Sequence, residues 1–160
     1  MSFDSFLIID GLEGESADHQ YPKSIDIDSI GWDLHMNATT HCARGGGTGK
    51  VSIDCMSVTK FADRSSPNLI KACCTGRHFS KATVVLRKAG EKPLEYMRYE
   101  LEGVIIARWS QGGKTSNDQV KETVYLNFAN FRIVYAPQSP SGGALGKIET
   151  GFSIAENCSL

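Results

Sequence analysis

The sequence lacks a surplus of either charge. It has 17 basic and 18 acidic residues among 160, which gives a net charge of -1 at neutral pH. Proteins that bind nucleic acid or an anionic membrane by electrostatic attraction carry a basic surplus. We therefore expect no nucleic-acid partner and no charge-driven attachment to a membrane.

Long apolar runs are also missing. The apolar run that follows Asp4 ends at Asp10, and no basic leader precedes it. A secretory leader or a membrane span needs a longer apolar stretch. The sequence therefore predicts a cytoplasmic protein with no cleavable signal peptide and no membrane insertion.

The cysteines and histidines lack the spacing of metal sites. The five cysteines are odd in number and form no CxxC pair, so we expect buried thiols without redox or metal chemistry. His35, His41 and Cys42 could meet on a metal ion, but a glycine-rich segment is a poor platform for ligands. The sequence predicts no metal site and no cofactor.

Motifs for phosphate binding and nucleophilic catalysis are incomplete. GGGTGK, which ends at Lys50, resembles a phosphate-binding loop, but Arg44 replaces its first glycine and Val51 replaces its magnesium-binding hydroxyl residue. A GxSxG nucleophile motif does not occur. We therefore expect no enzymatic activity and no catalytic residue.

One segment has the pattern of a helix. Ser66 can cap the first turn, Pro67 suits the first helical position, and Gly76 can end the helix in a left-handed conformation. About three turns are too few for a helix that is stable alone, so we expect it to pack against a sheet.

The rest of the chain alternates with the period of strands. Residues 94–109 predict one long strand whose odd-numbered residues, from Met97 to Trp109, share one face. Residues 120–137 change phase near Ala129, which predicts a bulge or a corner. About seven strands and one helix predict a β-sandwich or barrel in a single domain.

Five blocks of the sequence occur in the order and spacing of a known family. The blocks are DGLEGES, SIDIDSIGW, GKVSIDCMSVTKFADRSSPNLIKACCTGRH, LRKAGEKPLEY and ETVYLNFANFRIVY. The resemblance extends over nearly all of the chain, with the glycine-rich loop and the C-terminal segment only loosely matched. In these blocks the sequence resembles the Hcp family, the haemolysin-coregulated proteins of the bacterial type VI secretion system.

The resemblance implies a fold and a function. It implies one domain over residues 1–160, a β-barrel of two packed antiparallel sheets, and a flanking helix at about 66–75. It also implies homohexameric rings that stack into a tube inside contractile sheath proteins, with a VgrG spike at the tip. The tube would be expelled from the cytoplasm and become extracellular, with small effector proteins carried in its lumen.

The resemblance also places candidate sites for cargo and assembly. Family members present the strand around Ile30, Gly31 and Trp32 near the lumen, so these residues are the cargo candidates. The glycine-rich loop at 37–49 resembles the extended loop of the family, which reaches an adjacent subunit or ring. Its candidate contact residues are Thr40, His41, Arg44 and Thr48.

Two family motifs match positions that we expect to set the fold and the ring edges. The first surrounds the helix and comprises Lys60, Asp63, Ser66, Pro67 and Gly76. The second follows in a turn and strand and comprises Arg87, Lys88, Gly90, Glu91, Pro93, Glu95 and Tyr96.

Two competing functions stay open on the residues alone. Seven strands and a tryptophan could form a monomeric small-ligand-binding β-barrel. The adjacent pair Cys73 and Cys74 could serve an enzyme, although their side chains would diverge by about 100° on a helix.

Overall fold

The computed structural model describes residues 3–38, 48–112 and 119–160. Within these ranges the fold is mainly β, and the strands pair antiparallel around one helix. The elements are β1 (Phe3–Ile9), β2 (Ile25–Asp26), β3 (Ser29–Gly31), β4 (Leu34–Ala38), β5 (Thr48–Ile53), β6 (Met56–Phe61), α1 (Ser66–Thr75), β7 (His78–Lys88), β8 (Leu94–Gln111), β9 (Lys121–Asn127), β10 (Asn130–Tyr135), β11 (Ile148–Ser153) and β12 (Cys158–Ser159).

Strand β8 organises the main sheet because both of its edges are paired. Along one edge it pairs with β7, and along the other its first half pairs with β10 and its second half with β9. The sheet continues from β7 through β1 to β2, from β10 through β11 to β12, and from β9 through β6 to β3.

Gly103 reverses the alternation of β8, so the prediction of one continuous face is wrong. Leu101 is buried before it, whereas Val104 and Ile106 are buried after it. Gly103 has φ +61°, a left-handed conformation that residues with a side chain rarely adopt. A second register shift after Ile106 turns Trp109 back towards the core.

The chain turns a corner opposite this reversal. Between β9 and β10, the Ala129 N–H donates to the Glu102 carbonyl at 2.9 Å. A Cβ on Gly103 would lie only 3.0 Å from the Cβ of Ala129. The predicted phase shift near Ala129 is confirmed as the break between two strands.

The segment from Ile25 to Gly31 carries the sheet around the core. The Ile27 N–H donates to the Ser5 carbonyl in β1, and the next N–H, on Asp28, donates to the Thr59 carbonyl in β6. This segment therefore links β1 on one side of the core to β6 on the other. Because β2 and β3 do not pair with each other, "barrel" describes the arrangement only loosely. The predicted mainly β class with packed antiparallel sheets is confirmed.

The predicted helix is confirmed, but its first turn differs from the prediction. The N-cap is Ser65, and Ser66 is the first helical residue, with its side chain turned inward and bonded away from the helix. Gly76 ends the helix at φ +63°, and its N–H donates to the Ala72 carbonyl. Leu69 and Ala72 are buried in the main core, so the apolar stripe packs as expected.

A buried polar cluster, which we call the Lys60 cluster, joins α1 to the sheet. The Lys60 ammonium is fully buried and lies 2.9 Å from the Asp63 carboxylate and 3.6 Å from that of Glu122. Ser66 donates to Glu122 at 2.5 Å, and Trp109 donates to the other oxygen of that carboxylate at 2.9 Å. The opposite charges compensate one another away from water, so losing the Lys60 cation leaves the buried Glu122 carboxylate without a balancing charge.

The expectation of buried thiols is wrong for two cysteines. Cys74 and Cys158 are exposed, and Cys55 and Cys73 are half-buried. Cys42 lies outside the described residues.

Among residues 3–38, 48–112 and 119–160, the structure contains no helix with the length and apolar character of a membrane span.

Lys60→Met should destabilise the fold by roughly 3–5 kcal/mol, because it leaves the buried Glu122 carboxylate and the half-buried Asp63 carboxylate without their cation. Urea unfolding would measure the change in the free energy of unfolding. Lys121→Met is the matched control, because Lys121 pairs with Asp28 at 2.8 Å where both side chains are more than 40% exposed. Exposed pairs contribute about 0–1 kcal/mol. Equal losses in the two variants would contradict the role of the Lys60 cluster.

Candidate functional site

The three cargo candidates do not share one face. Ile30 and Trp32 are half-buried and pack against the core, whereas Gly31 lies between them on the outer face of the sheet. Gly31 pairs with Ser57, whose hydroxyl donates to the Gly31 carbonyl at 3.1 Å. A Cβ on Gly31 would lie 2.8 Å from that hydroxyl oxygen, so the neighbouring side chain would have to move.

Trp32 anchors the chain where it leaves the main sheet. Its ring packs edge-on against Phe131 and Phe128, with centroids 4.9 and 5.8 Å away. Its indole N–H donates to the Asp54 carbonyl at 2.9 Å, and the Asp54 N–H donates to the Asp33 carbonyl at 3.0 Å. These bonds join the segment that enters the following hairpin, at Trp32 and Asp33, to the segment that leaves it, at Asp54.

That hairpin, β4 with β5, forms a separate two-stranded sheet that we call the arm. The predicted loop at 37–49 begins and ends in these strands, since residues 37, 38, 48 and 49 are strand residues. Of the loop candidates, Thr48 lies in β5. Thr40, His41 and Arg44 lie outside the described residues.

An apolar groove of about 760 Å³ separates the arm from β10, β11 and β12. The arm contributes Leu34 and Met36, which are 40% and 49% exposed. The opposite wall contributes Phe131, Ile133 and Phe152. An isolated two-stranded hairpin is marginal in water, so the apolar side of the arm calls for a covering surface.

Arg87 from the second family motif ties the first long loop to the sheet. Its guanidinium is 6% exposed, donates to Asp18 and Gln20 at 3.1 Å each and to Asp4 at 3.0 Å, and lies over the Phe6 ring. The hydrogen bonds from Arg87 lower the pKa of Asp18 to about 2, although burial opposes this shift. Arg87 therefore holds the first long loop against β1 and β7.

Glu95 joins the same loop to β8. It accepts from the Tyr21 hydroxyl at 2.6 Å and from the Arg98 guanidinium at 2.5 Å. Burial would raise the pKa of Glu95, but hydrogen bonds from Arg98 and Tyr21 lower it overall. Burial and the Glu95 hydrogen bond raise the pKa of Tyr21 to about 12.

The remaining motif residues lie at the turn between β7 and β8. Lys88 donates to the Gln138 side chain at 2.8 Å and lies 5.5 Å from the centre of the Tyr96 ring. Gly90, Glu91 and Pro93 are exposed in the turn. These motif residues therefore lie where β7 ends and β8 begins, and they form no catalytic arrangement with one another.

Chemistry-bearing side chains do not converge on a reactive centre in the described part of the chain. No group of three His, Cys, Asp or Glu side chains among residues 3–38, 48–112 and 119–160 could hold a metal ion. Cys73 packs against the core while Cys74 is exposed, so the pair does not line a common site.

The whole chain is similar to components of one bacterial machine. The family model described as "Type VI secretion system effector, Hcp" matches residues 6–135. Protein hcp1 of Pseudomonas aeruginosa is 36% identical over 159 residues, which cover 98% of each chain. The chain belongs to the Hcp family. Membership implies assembly within the type VI secretion system and self-association into rings.

Solved Hcp structures share the fold over the full length. Hcp1 from Salmonella typhimurium is 35% identical, covers 100% of both chains and superposes with a TM-score of 0.82. A structure described as a type six secretion system protein gives a TM-score of 0.93 at 26% identity, over 99% of this chain and 100% of that one. Hcp proteins are structural, secreted components of the system.

Sequence reasoning missed the groove and two of the polar partners of buried side chains. The apolar residues on both walls of the groove look like ordinary strand residues in sequence. Asp18 and Glu122 lie 69 and 56 residues from the partners they bind, Arg87 and Ser66. The one available signal was that Glu122 occupies an inward position among Val120, Val124 and Leu126.

The Asp18 carboxylate should stabilise the fold in a pH-dependent way. Its folded pKa of about 2 lies below its ordinary value of 3.8, so its contribution is present above about pH 4 and is lost as pH falls through 2. We expect Asp18→Asn to be less stable than wild type at about pH 5, and the difference to shrink as pH falls to about 2. Urea unfolding at several pH values would measure the difference in the free energy of unfolding. A difference independent of pH would contradict a stabilising ion pair between Asp18 and Arg87.

Proposed function

We propose that this chain forms homohexameric rings that stack into the inner tube of the type VI secretion system. The rings lie inside the contractile sheath, carry the VgrG spike at the tube tip, and hold small effector proteins in their lumen. The chain is cytoplasmic before firing and extracellular afterwards. The observation that carries the proposal is similarity to Hcp proteins across the full length, with 98% of both chains aligned to hcp1.

The shape of the molecule supports a head-to-tail ring. A closed ring needs two different surfaces that fit each other, one on each side of the subunit. The arm and its groove form an open apolar surface on one side, and a neighbouring subunit would cover it. The net charge of -1 supports close approach of copies, because like subunits repel only weakly.

The small residues on the outer face around Gly31 support the proposal that this face lines the lumen. Gly31 has no side chain, and its strand neighbour Ser57 is small and polar. The groove, by contrast, is open along the exposed Leu34 and Met36, which disfavours the alternative of a monomeric barrel that encloses a small ligand. Ligand sites of that kind bury most of the ligand surface.

Light scattering on a size-exclusion column should give a mass of about 104 kDa, six times the 17.4 kDa of one subunit. Leu34→Glu should shift the mass to one subunit, because it places a charge against the apolar wall of the groove. Ile70→Glu is the control, since Ile70 is a similarly exposed apolar residue on α1 and lies outside the groove.

Two results would count against the proposal. A wild-type mass of 17.4 kDa at high protein concentration would contradict ring formation in solution. Rings that persist in Leu34→Glu would leave the hexamer intact but would remove the groove from the subunit interface.

A large residue at Gly31 should reduce retention of effectors and leave rings intact. Because a Cβ at this position meets the Ser57 hydroxyl at 2.8 Å, the variant should be Gly31→Trp in a Ser57→Ala background. Ser57→Ala alone is the control. Co-elution of a small effector from the same secretion system would measure retention. Loss of the rings themselves would show that Gly31 does not line the lumen.

A further inference from the structure

The arm has one apolar face and one polar face. Its apolar side chains occupy two paired positions across the hairpin, Leu34 with Ile53 and Met36 with Val51. The pair between them, His35 with Ser52, is polar and points to the opposite face, because successive strand residues alternate. The apolar face of the arm is the one that lines the groove.

The opposite wall of the groove is apolar as well. Phe131, Ile133 and Phe152 lie on the core-facing side of β10 and β11. The same side continues to Tyr135 and Ile148, which pair with each other and are 42% and 66% exposed. A single subunit therefore holds two apolar surfaces on either side of a gap of about 760 Å³. Bringing such surfaces together removes apolar area from water, so closing the gap is favourable.

Two short connections form a hinge at the base of the arm. Trp32 and Asp33 connect β3 to β4, and Asp54 and Cys55 connect β5 to β6. The Asp54 N–H donates to the Asp33 carbonyl, so the two connections are bonded to each other. Hinges are often a few residues at the ends of strands or helices. Rotation about these connections would move the arm as a unit and leave its own strand pairing intact.

The arm has no second layer beyond the hinge. In the described ranges, β4 and β5 pair with each other and with no other strand. Ile53, beside the hinge, packs against the core, whereas Leu34 and Met36 are exposed. A two-stranded hairpin needs packing against another surface to be stable in water. In a ring a neighbouring subunit can supply that surface, but a free subunit has only its own β10 and β11.

We propose that the arm is a lid on its own groove. In a free subunit it closes on β10 and β11, and it opens when a neighbouring subunit enters the groove. The open state rests on the proposed ring, whereas the closed state needs only one subunit. Closure would cover an apolar surface that otherwise promotes association with wrong partners. It would also slow ring formation, because binding that requires a conformational change has a reduced association rate.

Photo-crosslinking from the arm would test the lid. The photoreactive residue p-benzoylphenylalanine replaces Met36, and the protein is diluted from urea to about 1 nM and irradiated about one minute later. At an association rate constant of about 10⁶ M⁻¹ s⁻¹, association at this dilution takes on the order of 15 minutes, so the subunits are still free. We expect cross-links to residues 131–152 of the same chain, identified by mass spectrometry of the digested protein.

The matched control carries the same photoreactive residue in place of His35, on the polar face of the arm. We expect at least about tenfold fewer cross-links to residues 131–152 from this position, because it points away from the groove. Equal yields from the two positions would overturn the lid. So would the absence of a cross-link within the chain from position 36.

A concentrated sample tests the opening. A small fraction of subunits with the probe at position 36 is assembled with wild-type subunits, and the ring is isolated by size-exclusion chromatography. We expect cross-links from position 36 to a second copy, in place of the link within the chain. Rings that keep the link within the chain and give none between copies would overturn the opening.

Light scattering on wild-type protein separates failure of the lid from failure of the ring. If rings form but the free subunit gives no link within the chain, the lid is overturned and the ring stands. If the mass stays at 17.4 kDa at high concentration while the link within the chain is found, the ring is contradicted and the closed arm stands.

Discussion

The reversal of β8 at Gly103 is the constraint on which the rest of the structure depends. A strand of 18 residues that kept one face would continue a single sheet. The left-handed φ of Gly103 instead exchanges the inward and outward residues and lets β9 and β10 take successive stretches of the same edge. The sheet therefore bends around the core.

Two buried cations, Arg87 and Lys60, hold the less regular parts of the chain to this sheet. Arg87 binds carboxylates from β1 and from the first long loop, and Lys60 binds those beside α1 and in β9. Each cluster joins positions that are distant in sequence, and each has one cation for two carboxylates within reach. The family motif residues Lys60, Ser66 and Arg87 thus have structural work, which agrees with a protein that acts by assembling.

The arm has less support from its own chain. It pairs only within itself and is joined to the body at Trp32 and Asp54, while its apolar side faces a groove. The body is held by a contiguous core, which the arm reaches only through Ile53 at the end of β5. That division agrees with the proposal that a neighbouring subunit covers the arm.

The sequence by itself determined the strand-rich class, the helix, the corner near Ala129 and the family, because alternation, capping residues and motif spacing are local or additive signals. It could not determine the Gly103 reversal, since an apolar residue on either side of a glycine fits either phase. It also could not show that Asp18 binds Arg87 or that the arm lies opposite Phe131. Only the tertiary structure decided these, because they depend on register between strands far apart in the chain.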